Sequence, residues 1–224
     1  LKLALAAFEQ ADPKTERERN ERDVLVANIK GDILDLETIQ YWRKNPDLYA
    51  SAATGSVFGL VHRDFAPPAT RMRAAIARER LIPGMLAAGK ANLAHPPKAF
   101  VEIALRNLKG SLAFFRTGAV EAFRGVKSRR LQREFAATNA AVIAALEDYQ
   151  SFIEKDLLPQ ADGSFALGSD LFAQRLADNE MIDTPPAELL EIGYAQLHKD
   201  QAALKQAAHD YDAGKSVEEI VKDI

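Results

Sequence analysis

The chain has no cysteine and only four histidines among its 224 residues. Without thiols it forms no disulfide and no thiolate metal site, so any metal chemistry rests on the histidines and the carboxylates. The absence does not fix a compartment, because proteins of oxidising compartments can lack cysteine too. No apolar run approaches the ~20 residues that a membrane span needs, so none is expected. Leu1 to Phe8 is too short for a secretory signal and lacks a cleavage site. A signal ahead of residue 1 stays open, and with it the choice between cytoplasm and periplasm.

Several catalytic signatures are missing as well. The histidines are followed by Arg63, Pro96, Lys199 and Asp210, so none opens a His-Glu-x-x-His helix. His198 and His209 fall on one predicted helix about 16 Å apart along its axis, too far to share an ion held at ~2 Å. His62 and His95 sit in or beside predicted loops, where either a packing role or a ligand role is open. Thr54-Gly55-Ser56-Val57-Phe58-Gly59 lacks the Lys of a phosphate loop, and there is no Gly-x-Ser-x-Gly elbow and no Asp-Asp-x-x-Asp run. Asp32 with Asp35, and Glu180 with Asp183, stand one turn apart, a spacing that solvated helix faces also produce.

Net charge is small, at −3, but unevenly spread. Residues 63–133 hold fifteen Lys or Arg against four Asp or Glu, whereas residues 160–224 hold five against thirteen. Arg71, Arg73, Arg78, Arg80, Arg129, Arg130 and Arg133 either form an anion-binding surface or are neutralised when basic and acidic helices pack together. Aromatic residues do not interleave the arginines, so nucleic acid is not an expected partner.

What the sequence does contain is helical periodicity, nearly everywhere. A chain of this length buries about 70% of its unfolded surface, enough for a core without staples and for one or two domains. Leu131, Phe135, Thr138, Val142, Ala145, Tyr149 and Ile153 recur at steps of three and four, which predicts a long helix capped by Ser128 and ended by Pro159. Leu190, Tyr194, Leu197, Gln201, Leu204, Ala208 and Tyr211 predict another, opened by Pro185 and stopped at Gly214. The Leu190, Leu197 and Leu204 stripe is expected to bury against the helix carrying Phe135, Val142 and Tyr149. Ser216 with Glu219 is a capping box for a further helix.

Other helices are predicted at about 2–10, 16–43, 68–92 and 98–124, the third interrupted at Pro83-Gly84. Residues 50–65 and 159–168 are the expected loops, the latter a soft boundary. No alternating run predicts a strand and no fixed repeat emerges. The expected fold is all-α, an array of long and short helices with no substantial sheet.

One succession of motifs is more specific. Trp42-Arg43-Lys44-Asn45-Pro46-Asp47-Leu48-Tyr49 is followed by Phe65-Ala66-Pro67, Leu81-Ile82-Pro83 and Leu157-Leu158-Pro159. Gly163-Ser164-Phe165-Ala166-Leu167-Gly168 and Thr184-Pro185-Pro186-Ala187-Glu188-Leu189-Leu190-Glu191-Ile192-Gly193 come next. In order and spacing these resemble the bacterial family known as domain of unknown function 885, over roughly residues 20 to 200. The resemblance implies a zinc-dependent, carboxypeptidase-like peptidase whose His-Glu-x-x-His motif lies in a C-terminal half beyond this chain. Residues 1–224 are then expected to be the N-terminal helical region of a larger protein, forming part of a substrate cleft.

The implied partners are a peptide substrate and the protein's own C-terminal half, with zinc held in that half and none in this segment. No residue of this chain is assigned a catalytic, cofactor-binding or metal role. Asn45 and Tyr49 either line the cleft or merely build a helix-ending corner. The alternative function is a non-catalytic helical scaffold or interaction module. The stripe around Phe100, Leu108, Phe114 and Phe115 is richer than one layer of helices needs, which predicts an exposed apolar patch or self-association into a homo-oligomer.

Overall fold

The computed structural model describes residues 1–223, and among these residues there is helix and no strand. In chain order the helices are α1 (Lys2–Glu9), α2 (Glu16–Ile33), α3 (Tyr41–Lys44), α4 (Asp47–His62), α5 (Pro68–Glu79), α6 (Ile82–Asn92) and α7 (Lys98–Ala113). They continue with α8 (Ala119–Phe123), α9 (Arg129–Phe152), α10 (Ser169–Glu180), α11 (Pro186–Tyr211) and α12 (Val217–Asp223). π-helical turns follow α2, α7 and α9, at Leu34–Ile39, Phe114–Gly118 and Ile153–Leu157. The expected all-α class is what is found. Residues form two units, one from Leu1–Asp32 with Leu167–Ile224, the other the continuous stretch Ile33–Ala166.

The continuous unit holds the core. In α9, Leu131, Phe135, Val142, Leu146 and Tyr149 are buried, and Ile153 extends the stripe into the π turn. The expected cap is in place, with the Leu131 N–H donating to Ser128 Oγ at 3.4 Å. Helix α9 packs against α5 and α6, and α4 packs against α5 and α7. Ala50, Ala53, Val57 and Leu60 face this core from α4, and Val101, Ala104, Leu108 and Leu112 face it from α7.

Several expectations need correction in place. Residues 50–65 are not a loop: most of them are α4, whose buried face is written in small side chains. The predicted helix 16–43 ends at Ile33, turns through π geometry and stops at Gln40, whose φ of 53° is left-handed. The break in 68–92 falls at Arg80-Leu81, because Pro83 sits in the first turn of α6, where a missing N–H leaves no bond unmade. The Phe100 to Phe115 stripe is covered, with Leu108 and Phe115 fully buried and Phe100 and Phe114 partly so.

In the other unit, α2 and α10 approach closely at Gly31, where an added Cβ would meet Asn179 Oδ1 at 2.0 Å. The capping box of α12 forms as expected: Ser216 N–H donates to Glu219 Oε2 at 2.8 Å, and Glu219 N–H to Ser216 Oγ at 3.2 Å. These bonds hold the Glu219 carboxyl below its ordinary range. The α11 stripe, however, is not buried as expected: Leu190, Leu197 and Leu204 are 57%, 47% and 52% exposed.

Candidate functional site

The corner at Trp42 to Tyr49 is assembled by its own polar atoms. Pro46 follows Asn45 and holds it extended, which ends α3. Asn45 Oδ1 accepts the Asp47 N–H at 3.0 Å and starts α4 in place of an i−4 carbonyl. Trp42 Nε1 donates to the Leu36 carbonyl at 3.0 Å and the Tyr49 hydroxyl to the Trp42 carbonyl at 2.6 Å. Asn92 Nδ2 donates to Tyr49 Oη, and buried Tyr149 donates to the Pro46 carbonyl at 2.8 Å. The polar tips of Asn45 and Tyr49 are thus engaged inside the fold.

The histidines lie apart. His62 ends α4, stacked 3.9 Å from the Phe58 ring, with Nδ1 against the Phe58 carbonyl at 3.0 Å. His95 has a φ of 48° and meets Asp162 at 2.9 Å, both side chains exposed. Beside them Gly163 N–H donates to the Pro96 carbonyl, and a Cβ there would lie 2.1 Å from the His95 oxygen, so this corner needs glycine. His198 and His209 are exposed on α11. Among the described residues, no group of three or more His, Asp or Glu stands together as a metal ligand set.

Of the flagged carboxylates, Asp32 is exposed near the end of α2, Asp35 is half-buried in the π turn, Glu180 is exposed at the last position of α10, and Asp183 is exposed just after it. The carboxylate that sequence reasoning missed is Glu79. It is fully buried where α5 meets α9, accepting bonds from the Thr138 hydroxyl and, at 3.4 Å, from Asn139 Nδ2. Burial pushes its pKa up to about 7, against the opposing pull of those two donors. The available signal was its register, since Met72, Ala75, Ile76 and Glu79 share the buried face of α5.

Of the seven flagged arginines, Arg71, Arg78, Arg80 and Arg130 are engaged, whereas Arg73, Arg129 and Arg133 are exposed with no ion pair among the described residues. Arg71 is buried and gathers the end of α4, donating Nη1 to the Leu60 and Val61 carbonyls at 3.0 and 3.1 Å and Nε to the Ala66 carbonyl at 3.0 Å. Its Nη2 pairs with Asp64 at 2.7 Å. Arg78 donates to the Ser56 carbonyl, and Arg80 and Arg130 share Glu134 at 3.6 and 2.8 Å. The Arg130 bond holds Glu134 below the usual carboxylate range. These acids belong to the same unit as the arginines they meet, so the pairing of Arg71, Arg80 and Arg130 does not wait on the acidic residues 160–224.

One exposed cation, Arg106, stands beside a groove. Helices α4 and α7 run side by side in the same direction, with Asn107 Nδ2 on Asp47 Oδ1 at 3.2 Å and Phe58 5.7 Å from Phe114. Between them lies an open groove of about 380 Å³ lined by Thr54, Gly55, Phe58, Arg106, Asn107 and Gly110, among others. Space beside Gly55 and Gly110 is empty, which keeps the groove open. Ser51 and Thr54 turn their hydroxyls back onto Asp47 and the Ala50 carbonyl. Arg106 is exposed, no acidic side chain lines the groove, and among the described residues Arg106 has no ion-pair partner. Phe58 offers a half-exposed ring beside it. A guanidinium next to an apolar surface, with the neighbouring Asp47 carboxylate taken up by Ser51 and Asn107, suits a small organic carboxylate.

Comparison with known proteins supports the fold and leaves the chemistry open. No curated protein matches the chain. A solved structure of a candidate lipoprotein of unknown function from Shewanella oneidensis matches with a TM-score of 0.79 at 20% identity, over 92% of this chain and 38% of that one. The chain therefore spans less than two fifths of that protein, and the likeness is one of fold. The family model described as bacterial protein of unknown function (DUF885) matches residues 1–224, and the chain belongs to that family.

Proposed function

We propose that residues 1–224 form the N-terminal, cleft-forming part of a carboxypeptidase-like zinc metallopeptidase, with the groove between α4 and α7 seating the free C-terminal residue of a peptide. The observation that carries this reading is Arg106, an exposed guanidinium without an ion pair among the described residues, beside the half-exposed Phe58 ring. A bidentate bond to a terminal carboxylate is worth more than a neutral one, and an apolar C-terminal side chain has Phe58 to pack on.

Among the described residues no set of metal ligands stands together, and in this reading zinc belongs to ligands in sequence following residue 224. Bound there, it would activate water and polarise the peptide carbonyl. The part played by this chain is to hold the carboxylate end so that the last peptide bond is presented in one register.

The test compares N-acetyl-phenylalanine with its amide. Titrated into residues 1–224, the free acid is expected to shift the amide resonances of Thr54, Phe58 and Arg106, the amide form much less. Arg106→Gln is expected to weaken the acid about tenfold, the loss of one charge-assisted contact. Equal binding of acid and amide, or an unaffected Arg106→Gln variant, sinks the carboxylate seat. Metal analysis of dialysed residues 1–224 is expected to give no stoichiometric zinc. One ion per chain held at His62 or His95 would place metal chemistry inside this segment instead.

A non-catalytic helical interaction module is the second reading, and the bare stripe of α11 favours it. The two separate on whether a protein extending past residue 224 releases C-terminal residues from peptides in a chelator-sensitive way.

A further inference from the structure

The two units differ in how far they fill their own interiors. Ile33–Ala166 surrounds a continuous apolar core. In Leu1–Asp32 with Leu167–Ile224, the buried positions among the described residues are Ala27, Gly31, Ala208 and Ile220, while Leu3 is 89% exposed and Val24 and Leu25 are 49% and 42% exposed. Helix α11 is exposed at every residue from 190 to 207. Its Leu190, Tyr194, Leu197, Gln201, Leu204, Ala208 and Tyr211 alternate steps of four and three, the 3.5-residue repeat with which one long helix packs on another. Apart from the buried Ala208 this seam is bare in water, and it is larger in apolar content than a lone exposed leucine, which needs no explanation.

We propose that the α11 seam is a docking surface for helices of polypeptide that follows residue 224. This rests on the reading of residues 1–224 as the first part of a longer enzyme. Length points to that occupant: the Shewanella protein, which shares this fold, carries about three fifths of its chain outside the matched part. The spread of exposed groups points the same way. A second copy joined along the seam covers one stripe of α11 and leaves Ile192, two residues and thus about 200° around from Leu190, along with Leu3, Val24 and Leu25. Several elements are needed to cover them all. The docked helix is one with apolar residues at three-and-four spacing, a basic side chain opposite Asp200 and an acidic one opposite Lys205, the charges flanking the seam.

Hydrogen exchange tests this directly. In a protein that continues past residue 224, amides 190–207 are expected to exchange about a hundredfold more slowly than in residues 1–224 alone. In residues 1–224, Leu197→Gln with Leu204→Gln is expected to leave the melting temperature unchanged, because the seam is bare. In the longer protein the same pair is expected to restore fast exchange in α11. Equal exchange in the two lengths, or a reading frame that ends at Ile224, overturns the proposal. So does a discrete dimer of residues 1–224 that the paired variant dissociates, which assigns the seam to a second copy. Peptide hydrolysis is read separately: a longer protein with α11 protected but no peptidase activity defeats the catalytic reading and keeps the docking surface.

Discussion

At Glu79 a carboxyl group is buried without a cation, and its folded-state pKa of about 7 lies above the ordinary 4.5. The folded protein therefore holds this proton more tightly than the unfolded chain. Stability from the group is fully present below pH 4.5, falls as the pH rises from there to 7, and is lost above that. At 1.36 kcal/mol per unit the loss is on the order of 3 kcal/mol. Glu79→Gln keeps an acceptor for Asn139 and a partner for Thr138 but cannot ionise. Melting curves are expected to show the variant equal to the native chain near pH 4, several degrees more stable at pH 8, and free of the slope between. A native-like slope in the variant would place the titration elsewhere. Neither Glu79 nor Arg106 was legible in the sequence. Glu79 read as one more charge in Arg78-Glu79-Arg80, and Arg106 as one of fifteen cations in a basic stretch. What sets each apart is its surroundings: an apolar contact between helices for the first, and a groove with the Phe58 ring beside it for the second.

At the scale of the helix, the elements that sequence disclosed are those whose apolar residues are large. In α9 the stripe from Leu131 to Ile153, its Ser128 cap and its end near Pro159 are all visible because Leu, Phe, Tyr and Ile mark the buried face. In α4 the buried face is Ala50, Ala53, Val57 and Leu60, and the exposed one carries Ser51, Gly55 and Gly59, so a packed helix resembles a loop. The same small residues keep the candidate groove open, which is why its position was as hard to read as the helix itself. Glycine at these helix positions costs differently with context. Gly55 has open space around its missing Cβ, whereas at Gly89 in α6 a Cβ would meet the Tyr49 ring at 2.7 Å. Gly55→Ala is expected to raise stability by about 0.5–1 kcal/mol through lower unfolded-chain entropy. Gly89→Ala is expected to lower it by about 1–3 kcal/mol, since Tyr49 is held at its hydroxyl by Trp42 and Asn92 and cannot swing aside. Denaturant midpoints of the two variants check the opposite signs.

For the molecule as a whole, the partition between a filled and an unfilled unit carries a prediction about folding. Ile33–Ala166 is one uninterrupted stretch, so it can be made without any new junction. Its core includes Val57, Met72, Leu86, Leu108, Phe115, Phe123, Leu146 and Tyr149, each at most 1% exposed, contributed by helices from α4 to α9. A chain of this size buries roughly two thirds of its unfolded surface, enough for stability without staples. Its long-range bonds close within it: Tyr149 to the Pro46 carbonyl, Glu79 to Thr138, Lys90 to Asp148 and Arg116 to Glu147. Residues 33–166 alone are therefore expected to fold, with a single cooperative transition by near-ultraviolet dichroism and dispersed amide resonances. Within that fragment Leu146→Ala is expected to cost about 2–5 kcal/mol, the penalty of a cavity in a packed core. Leu197→Ala in residues 1–224 is expected to cost less than about 0.5 kcal/mol, because Leu197 is already half in water. A fragment that fails to melt cooperatively would show that the filled core depends on residues outside 33–166. A large loss at Leu197 would show that the α11 seam is covered in solution by another molecule.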